Sequence, residues 1–331
     1  MFATRAVKAA GLFSNICLEL SEVRLVAAVA LETARFTSSH HGLGKLMPVS
    51  RFVHLNGSLV PESDAKLHVS DLGLRRAYSV FEFLRVDDGV PVFLEDHFER
   101  FMRSCETLEL TPPDDLELRV RELLRVNHAS YSGVSIYLTG GYSSDNFTPA
   151  EPNLIIIETP REPYPTDLYV LGTKVITYQH TRELAHAKTT DYLTAVRLSH
   201  AMKAANATEV IFTSATHALE GARAALGVVL PSGAIVSPID HVLESVTMGR
   251  ALRLAARFTP TERRAVTLEE FDTAPEMFLT SATRGVMPVT RVDERIVGDG
   301  RVGATVTRLM RDLELHTKEY IRTHAQFSPQ T

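Results

Sequence analysis

The sequence predicts an α+β fold in two domains, and three observations carry that prediction. Strand-like and helix-like runs are mixed without the strict alternation of a doubly wound sheet. At 331 residues the chain is long enough to bury two cores. Between two sets of elements, Arg161 to Thr166 holds Pro163 and Pro165, which resist both helix and sheet. The boundaries that follow are an extension over 1–50, a small α/β domain over 51–162, a linker over 163–168 and a larger domain over 169–331.

Regular patterning starts at Arg51. Phe52 to Leu55, Asn56-Gly57 and Ser58 to Val60 read as a hairpin, because Asn and Gly tolerate the positive φ of a type I′ turn. Val80 to Val86 is strand-like, and Asp87-Asp88-Gly89 turns it into a second strand, Val90 to Leu94. Leu94, Phe98, Phe101, Met102, Cys105 and Leu108 share one face of a helix from Glu95 to Leu108. That spacing leaves Arg100 opposite the stripe, on the exposed side. Leu116 to Val126 is amphipathic, Val134 to Thr139 alternates as a strand, and Leu154 to Glu158 is an apolar run. Beyond the linker, Val175 to Thr177 is a strand leading to a lysine segment. A helix from Tyr192 to Ala205 is expected to bury Leu198, Ala201, Met202 and Ala205, with Asp191 as its cap. Strands at Glu209–Thr213 and Leu226–Leu230 flank a turn holding Glu220, and Ser245 to Phe258 and Val306 to His324 read as helices.

Composition narrows the function. Hydrophobic residues make up 44% and charged residues 23%, as in an ordinary globular protein. The net charge of −5, with both signs mixed along the chain, argues against a nucleic-acid partner. No stretch reaches the roughly 18–20 apolar residues of a membrane span; Leu25 to Leu31 comes nearest. Cys17 and Cys105 allow at most one disulfide, so a reducing, cytoplasmic setting is expected. Arg5 and Lys8 in an acid-free start suggest a mitochondrial presequence as the alternative, which Glu19, Glu22 and Glu32 weaken. Residues 1–46, ahead of Met47, are read as an extension without a catalytic role. The thirteen histidines lack ligand spacing, so no metal site is expected. Gly140-Gly141 lacks the strand and helix of a nucleotide loop, and no nucleophile elbow is present.

The chemistry concentrates in Ala187-Lys188-Thr189-Thr190-Asp191-Tyr192 and Leu219-Glu220-Gly221. An aldehyde cofactor needs an amine to hold it, and a pyridine ring used as an electron sink needs a carboxylate to keep its nitrogen protonated. These segments resemble the class IV, fold-type IV aminotransferases that use pyridoxal 5′-phosphate (PLP), over about residues 52–310. That family includes branched-chain and D-amino acid aminotransferases, (R)-amine transaminases and aminodeoxychorismate lyases. The resemblance implies a D-amino acid aminotransferase-like fold, with a barrel-like larger domain, and a homodimer whose partner completes each active site. The Arg75–Tyr78 region is the expected cross-subunit loop.

On this resemblance Lys188 is the catalytic lysine, Tyr192 reaches the cofactor's phenolic oxygen and Glu220 partners its ring nitrogen. Arg100, in Glu95-Asp96-His97-Phe98-Glu99-Arg100, corresponds to the family's phosphate arginine. Val246 and Thr247, in Leu243-Glu244-Ser245-Val246-Thr247, and Ser281, in Phe278-Leu279-Thr280-Ser281-Ala282-Thr283, correspond to its other phosphate ligands. Arg76, Arg182 and Arg284 are three arginines suited to a substrate carboxylate, beside the backbone of Ala282 and Thr283. Departures from the pattern are Asp191 for Asn, Ala224-Ala225 beyond Glu-Gly, Glu244-Ser245 for Pro-Gly, and Ala282 for Thr. Glu244 is expected to bring a carboxylate to the phosphate cup and weaken it. The implied activity moves an amino group between a branched-chain L- or D-amino acid and a 2-oxo acid such as 2-oxoglutarate or pyruvate. The alternatives are an aminodeoxychorismate lyase-like PLP enzyme, and a weakened relative that only binds PLP or a partner.

Overall fold

A computed structural model of the chain describes residues 51–325. The expectations for the extension over 1–50, Cys17 included, lie outside these residues.

The N-terminal half builds an antiparallel sheet from β1 (Phe52–Leu55), β2 (Ser58–Pro61), β3 (Ser79–Asp87), β4 (Val90–Pro91), β5 (Tyr131–Thr139) and β6 (Asn153–Pro160). Their order is β2-β1-β6-β5-β3-β4. The first hairpin pairs Leu55 with Ser58, and Asn56 (φ 48°) and Gly57 (φ 90°) both take the left-handed conformation a type I′ turn requires. Only Val90 and Pro91 of the expected second strand pair with β3, because the helix Leu94–Thr107 starts at once.

That helix carries two buried faces. Phe101 and Cys105 pack with Val80, Leu84, Val120 and Leu123 in the core, as the apolar stripe predicts. His97, Arg100 and Ser104 form a second, polar buried face, so Arg100 is 7% exposed rather than solvent-facing. Met102, expected inside, is 45% exposed.

Arg161–Pro165 has no regular structure, and a short helix, Asp167–Val170, takes up the end of the expected linker. A curled half-barrel sheet follows. Its strands are β7 (Thr173–Gln179), β8 (Glu209–Thr213), β9 (His217–Gly221), β10 (Ala225–Val229), β11 (Ile235–Ser237), β12 (Thr261–Arg263), β13 (Val266–Thr267), β14 (Glu276–Ser281), β15 (Gly285–Val292) and β16 (Arg295–Ile296). The order is β12-β11-β10-β14-β15-β7-β8-β9-β13, with β16 on β15. Pairs β15–β7 and β7–β8 are parallel, and their neighbours β8–β9 and β14–β15 antiparallel. Glu220 therefore stands on a strand, not in the expected turn.

Two helices, Val246–Ala255 and Ala304–His324, bury Met248, Ala251, Leu309 and Leu313 against Phe278 of β14 and Val286 of β15. The expected helix over 192–205 is broken into Leu193–Arg197 and Ser199–Ala204. Leu198, at ψ −5°, separates the two while still donating to the Thr194 carbonyl and accepting from Met202 N–H, and it packs with Val210 and Phe212. Ala201 is exposed, as are Leu193 (76%) and Val196 (66%).

The lysine segment ties this half of the chain to β3. Thr189 bridges Val80, Phe81 N–H donates to the Lys188 carbonyl at 2.8 Å, and Thr190 N–H donates to Ser79 at 3.1 Å.

Candidate active site

Lys188 is fixed from both sides of its backbone: its carbonyl by Phe81, its N–H by the Ser104 hydroxyl at 3.0 Å. The half-buried side chain lays its ammonium 4.2 Å from the centre of the Phe81 ring. Burial first, then the nearby Arg100 and Arg182, lower its pKa to about 8, against the opposing pull of Glu82 and Glu220. A neutral, nucleophilic amine is thus available close to neutrality. The Tyr192 ring meets Phe81 edge-on at 5.5 Å, so the lysine and the expected phenol ligand share one aromatic wall. Tyr137 stacks on the far side of Phe81 at 5.8 Å.

Glu220 is 6% exposed on β9. One carboxylate oxygen accepts from Arg182 Nε at 2.8 Å, and the other accepts from Leu243 N–H at 3.0 Å. Desolvation raises its pKa above the ordinary glutamate value, while Arg182 and the Leu243 N–H resist that rise. Arg182 is accordingly not a free substrate clamp. A buried carboxylate needs a counter-charge, and Arg182 supplies it while also donating to the Ala185 carbonyl in the loop before Lys188.

Arg100 is positioned by a residue the sequence reading passed over. Glu82, fully buried, takes a two-pronged contact from Arg100 Nε (2.9 Å) and NH2 (2.6 Å), with His97 at 3.1 Å. These partners outweigh desolvation and hold the Glu82 carboxyl well below the usual range. The signal was present: Val80, Glu82, Leu84 and Val86 alternate on the buried face of β3, and a carboxylate in such a row demands a cation. The NH1 edge of Arg100 donates to the Glu244 carbonyl at 3.1 Å, at the start of the Val246–Ala255 helix.

There Ser245 caps the helix by accepting from Met248 N–H at 3.1 Å, which leaves the first-turn N–H groups of Val246 and Thr247 for an anion. The Glu244 side chain does not intrude on this cup. It pairs with Arg263 (2.8 Å) and Arg103 (3.3 Å) and is about half exposed. Thr247 and Ala282 line one cavity with His97 and Gly285, while Glu220 and Ser245 line a second. The Ser281 hydroxyl accepts from Arg284 N–H at 3.3 Å and lies 3.4 Å from the Thr283 hydroxyl.

The remaining two arginines lie in contrasting surroundings. Arg284 is 4% exposed and spends its charge on the fully buried Glu209 at 2.6 Å. Arg76 is exposed, and its guanidinium donates to the neighbouring Arg75 carbonyl.

The donor set fits PLP on one structural point in particular. The segment Leu243–Thr247 holds both ends of the site: its Leu243 N–H orients the Glu220 carboxylate, and its Glu244 carbonyl orients Arg100 beside the helix start. The Glu220 carboxylate and the start of the Val246–Ala255 helix are thereby tied to one short stretch, and the Arg182–Glu220 and Arg100–Glu82 charges both act on the Lys188 amine. Among the described residues, no group of three or more His, Cys, Asp or Glu is placed to hold a metal, and no helix is long and apolar enough to cross a membrane.

Known proteins carry the same arrangement of sequence and fold. A D-alanine aminotransferase of Staphylococcus epidermidis is 28% identical over 283 residues, covering 82% of this chain and 99% of its own. A putative branched-chain-amino-acid aminotransferase of Methanocaldococcus jannaschii is 26% identical over 289 residues, with the same coverage. Among solved structures, the branched-chain amino acid aminotransferase from Escherichia coli superposes with a TM-score of 0.71 at 22% identity, over 79% of this chain and 92% of its own. A hypothetical aminotransferase from Mycobacterium tuberculosis, in its PLP-bound form, gives 0.70 at 19%, over 81% and 99%. The class IV amino-transferase family pattern spans residues 79–292, from the start of β3 to the end of β15, so this chain belongs to the class IV aminotransferases and is a PLP-dependent transaminase.

Proposed function

We propose that the amino donor is a D-amino acid or a branched-chain L-amino acid and that the acceptor is a 2-oxo acid such as 2-oxoglutarate or pyruvate. The observation that carries the site assignment is the Lys188 amine, depressed to a pKa of about 8, in the field of the buried Glu220 carboxylate. PLP, when bound, supplies an aldehyde open to an amine and a ring that accepts electrons. Lys188 Nζ is the amine that would hold that aldehyde, and as a free base it would move the proton at the substrate's Cα. Glu220 keeps a proton at the ring nitrogen. Arg100, the Val246 and Thr247 N–H groups and Ser281 hold the phosphate, and Phe81 and Tyr192 shield the Lys188 amine from water.

With Arg182 and Arg284 each matched to a buried carboxylate, the backbone N–H groups of Ala282 and Thr283 are the donors best suited to the substrate carboxylate. A homodimer is supported by large apolar side chains exposed on the single chain, Leu74 (72%), Leu193 (76%) and Val196 (66%). A cytoplasmic setting is part of the same proposal, resting on the cysteine content alone.

The test is the PLP-reconstituted protein given a panel of L- and D-amino acids with 2-oxoglutarate or pyruvate, beside an amine that lacks a carboxylate. Turnover of D-alanine or of L-valine, L-leucine and L-isoleucine supports the reading. Turnover of the simple amine alone, or release of pyruvate from aminodeoxychorismate without transamination, overturns it.

A further inference from the structure

The turn between β14 and β15, Ser281 to Gly285, has little side-chain chemistry of its own. Ala282 brings no hydroxyl, Gly285 no side chain, and the Ser281 hydroxyl already accepts from the backbone of Arg284. Beside the Ser281 and Thr283 hydroxyls, which can still donate, the turn offers a ligand its backbone N–H groups, and backbone donors act only as well as the backbone is held.

Arg284 is the one long side chain in the turn, and it points into the protein. Its NH1 meets Glu209 at 2.6 Å, with the two side chains 2% and 0% exposed, and NH2 donates to the Thr208 carbonyl at 3.3 Å. The guanidinium also lies 5.5 Å from the Tyr164 ring, and the Arg284 carbonyl accepts from the Tyr169 hydroxyl at 3.0 Å. The turn is thus pinned to β8 by its side chain and to the segment after β6 by its carbonyl. Glu209 in turn lies beneath the strand that carries Glu220: a Cβ at Gly221 would come within 3.0 Å of Glu209 Cγ. A carboxylate with no exposure, in a central strand of an apolar sheet, is costly to keep unless it does something a packed apolar pair would not.

We propose that the buried Glu209–Arg284 pair is a positioning device that holds the Ser281–Gly285 turn rigid, so that its Ala282 and Thr283 N–H groups face the ligand. This rests on the reading above, in which that turn contacts the substrate carboxylate or the cofactor phosphate. Neither residue touches the reacting atoms. The pair fixes the donors that do.

Removing Glu209 alone would strand the buried Arg284 charge and risks unfolding, and removing Arg284 alone would leave Glu209 only its longer 3.5 Å contact to the half-exposed Arg223. The informative variant is therefore Glu209→Leu with Arg284→Met, which keeps the volume and removes both charges. Hydrogen exchange of the turn amides is read in the protein with and without PLP, together with the PLP dissociation constant and the separate effects on KM and kcat. Exchange at 281–285 should rise about tenfold while the flanking β14 amides stay native, and PLP affinity or amino-acid KM should worsen roughly tenfold, the scale of losing one well-aligned hydrogen bond to a charged group. Native exchange in the turn overturns the proposal. Faster exchange with unchanged PLP affinity and KM supports the positioning role and refutes the ligand contact on which the functional reading depends. If the double variant does not fold, Arg284→Lys keeps the charge but loses the fork. It should then loosen the turn by about threefold, and native exchange in that variant overturns the proposal equally.

Discussion

Replacing Arg182 with Met asks whether this arginine serves Glu220 or a substrate. The pair is close (2.6 Å) and largely buried, with side chains 14% and 8% exposed. Removing one member of a buried pair costs about 3–5 kcal/mol while the other stays charged. Glu220 escapes part of that cost by taking a proton. Holding a carboxyl with an ordinary pKa of 4.5 protonated costs about 1.36 kcal/mol per pH unit, so at most about 3.4 kcal/mol at pH 7 and about 0.7 kcal/mol at pH 5. The sign is set by the raised pKa. Below 4.5 the carboxyl is neutral in both folded and unfolded chains and no penalty arises, and stability is lost as pH climbs towards the folded value. Urea unfolding of the apoprotein at pH 5, 6, 7 and 8 should show a gap between wild type and Arg182→Met that widens with pH. The second substitution Glu220→Gln should close it. A gap independent of pH, or native stability with only the amino-acid KM impaired, would refute the pairing argument and return Arg182 to the substrate.

Lys188→Ala should abolish transamination and the cofactor fixed to the protein by borohydride; cofactor still fixed in the variant would remove Lys188 from the site. Since the Lys188 amine has a pKa of about 8, recapture of PLP by the apoprotein should quicken with pH and reach half its limit near 8, whereas a midpoint near 10.5 would mean an ordinary solvated lysine. Glu82→Gln leaves Arg100 buried without its counter-charge and should cost about 3–5 kcal/mol of stability. Because the folded Glu82 pKa is depressed, that difference should hold from pH 5 to 8 and shrink only in acid. Glu244→Ala should change PLP affinity by less than about threefold, because its carboxylate faces two half-exposed arginines rather than the cup.

Much of the fold was legible because it rests on local rules. Asn56-Gly57 forced its hairpin, alternation marked β5, and the apolar stripe of the Leu94–Thr107 helix found its core partners. Errors arose where tertiary context competes with periodicity. A single stripe cannot reveal that a helix is wedged between a core and a site, so Arg100 was read as exposed although His97, Arg100 and Ser104 form a second buried face. Nor does periodicity foresee Leu198 breaking a helix to enter a separate apolar cluster. The lysine segment was readable as a motif, but its attachment to β3 through Phe81, and hence the role of Phe81 as the lysine's aromatic floor, depends on pairing between residues far apart in sequence.

The arginines make the deeper point about reading charge from sequence. Arg182 and Arg284 were assigned to the substrate because a guanidinium matches a carboxylate, and Arg100 to the cofactor phosphate; the structure pairs each with an internal acid: Arg182 with Glu220, Arg284 with Glu209 and Arg100 with Glu82. The three acids share one sequence signature, an acidic residue inside an apolar strand: Val80-Phe81-Glu82-Phe83-Leu84, Glu209-Val210-Ile211-Phe212 and Ala218-Leu219-Glu220. Each of these three is matched by an arginine from another element, whereas Glu158, buried at the end of an apolar run on β6, takes the Asn127 amide instead, so a buried strand acid signals a polar partner without naming it. Glu82 and Glu220 then have distinct uses. Glu82 turns a third edge of Arg100 towards the helix start, and Glu220, with one oxygen on Arg182 and the other on a backbone N–H, retains further lone pairs, as its proposed role at a ring nitrogen requires. Three arginines around this site thus each hold a buried carboxylate, and the proposal that the substrate carboxylate rests on the Ala282 and Thr283 N–H groups follows from that pairing.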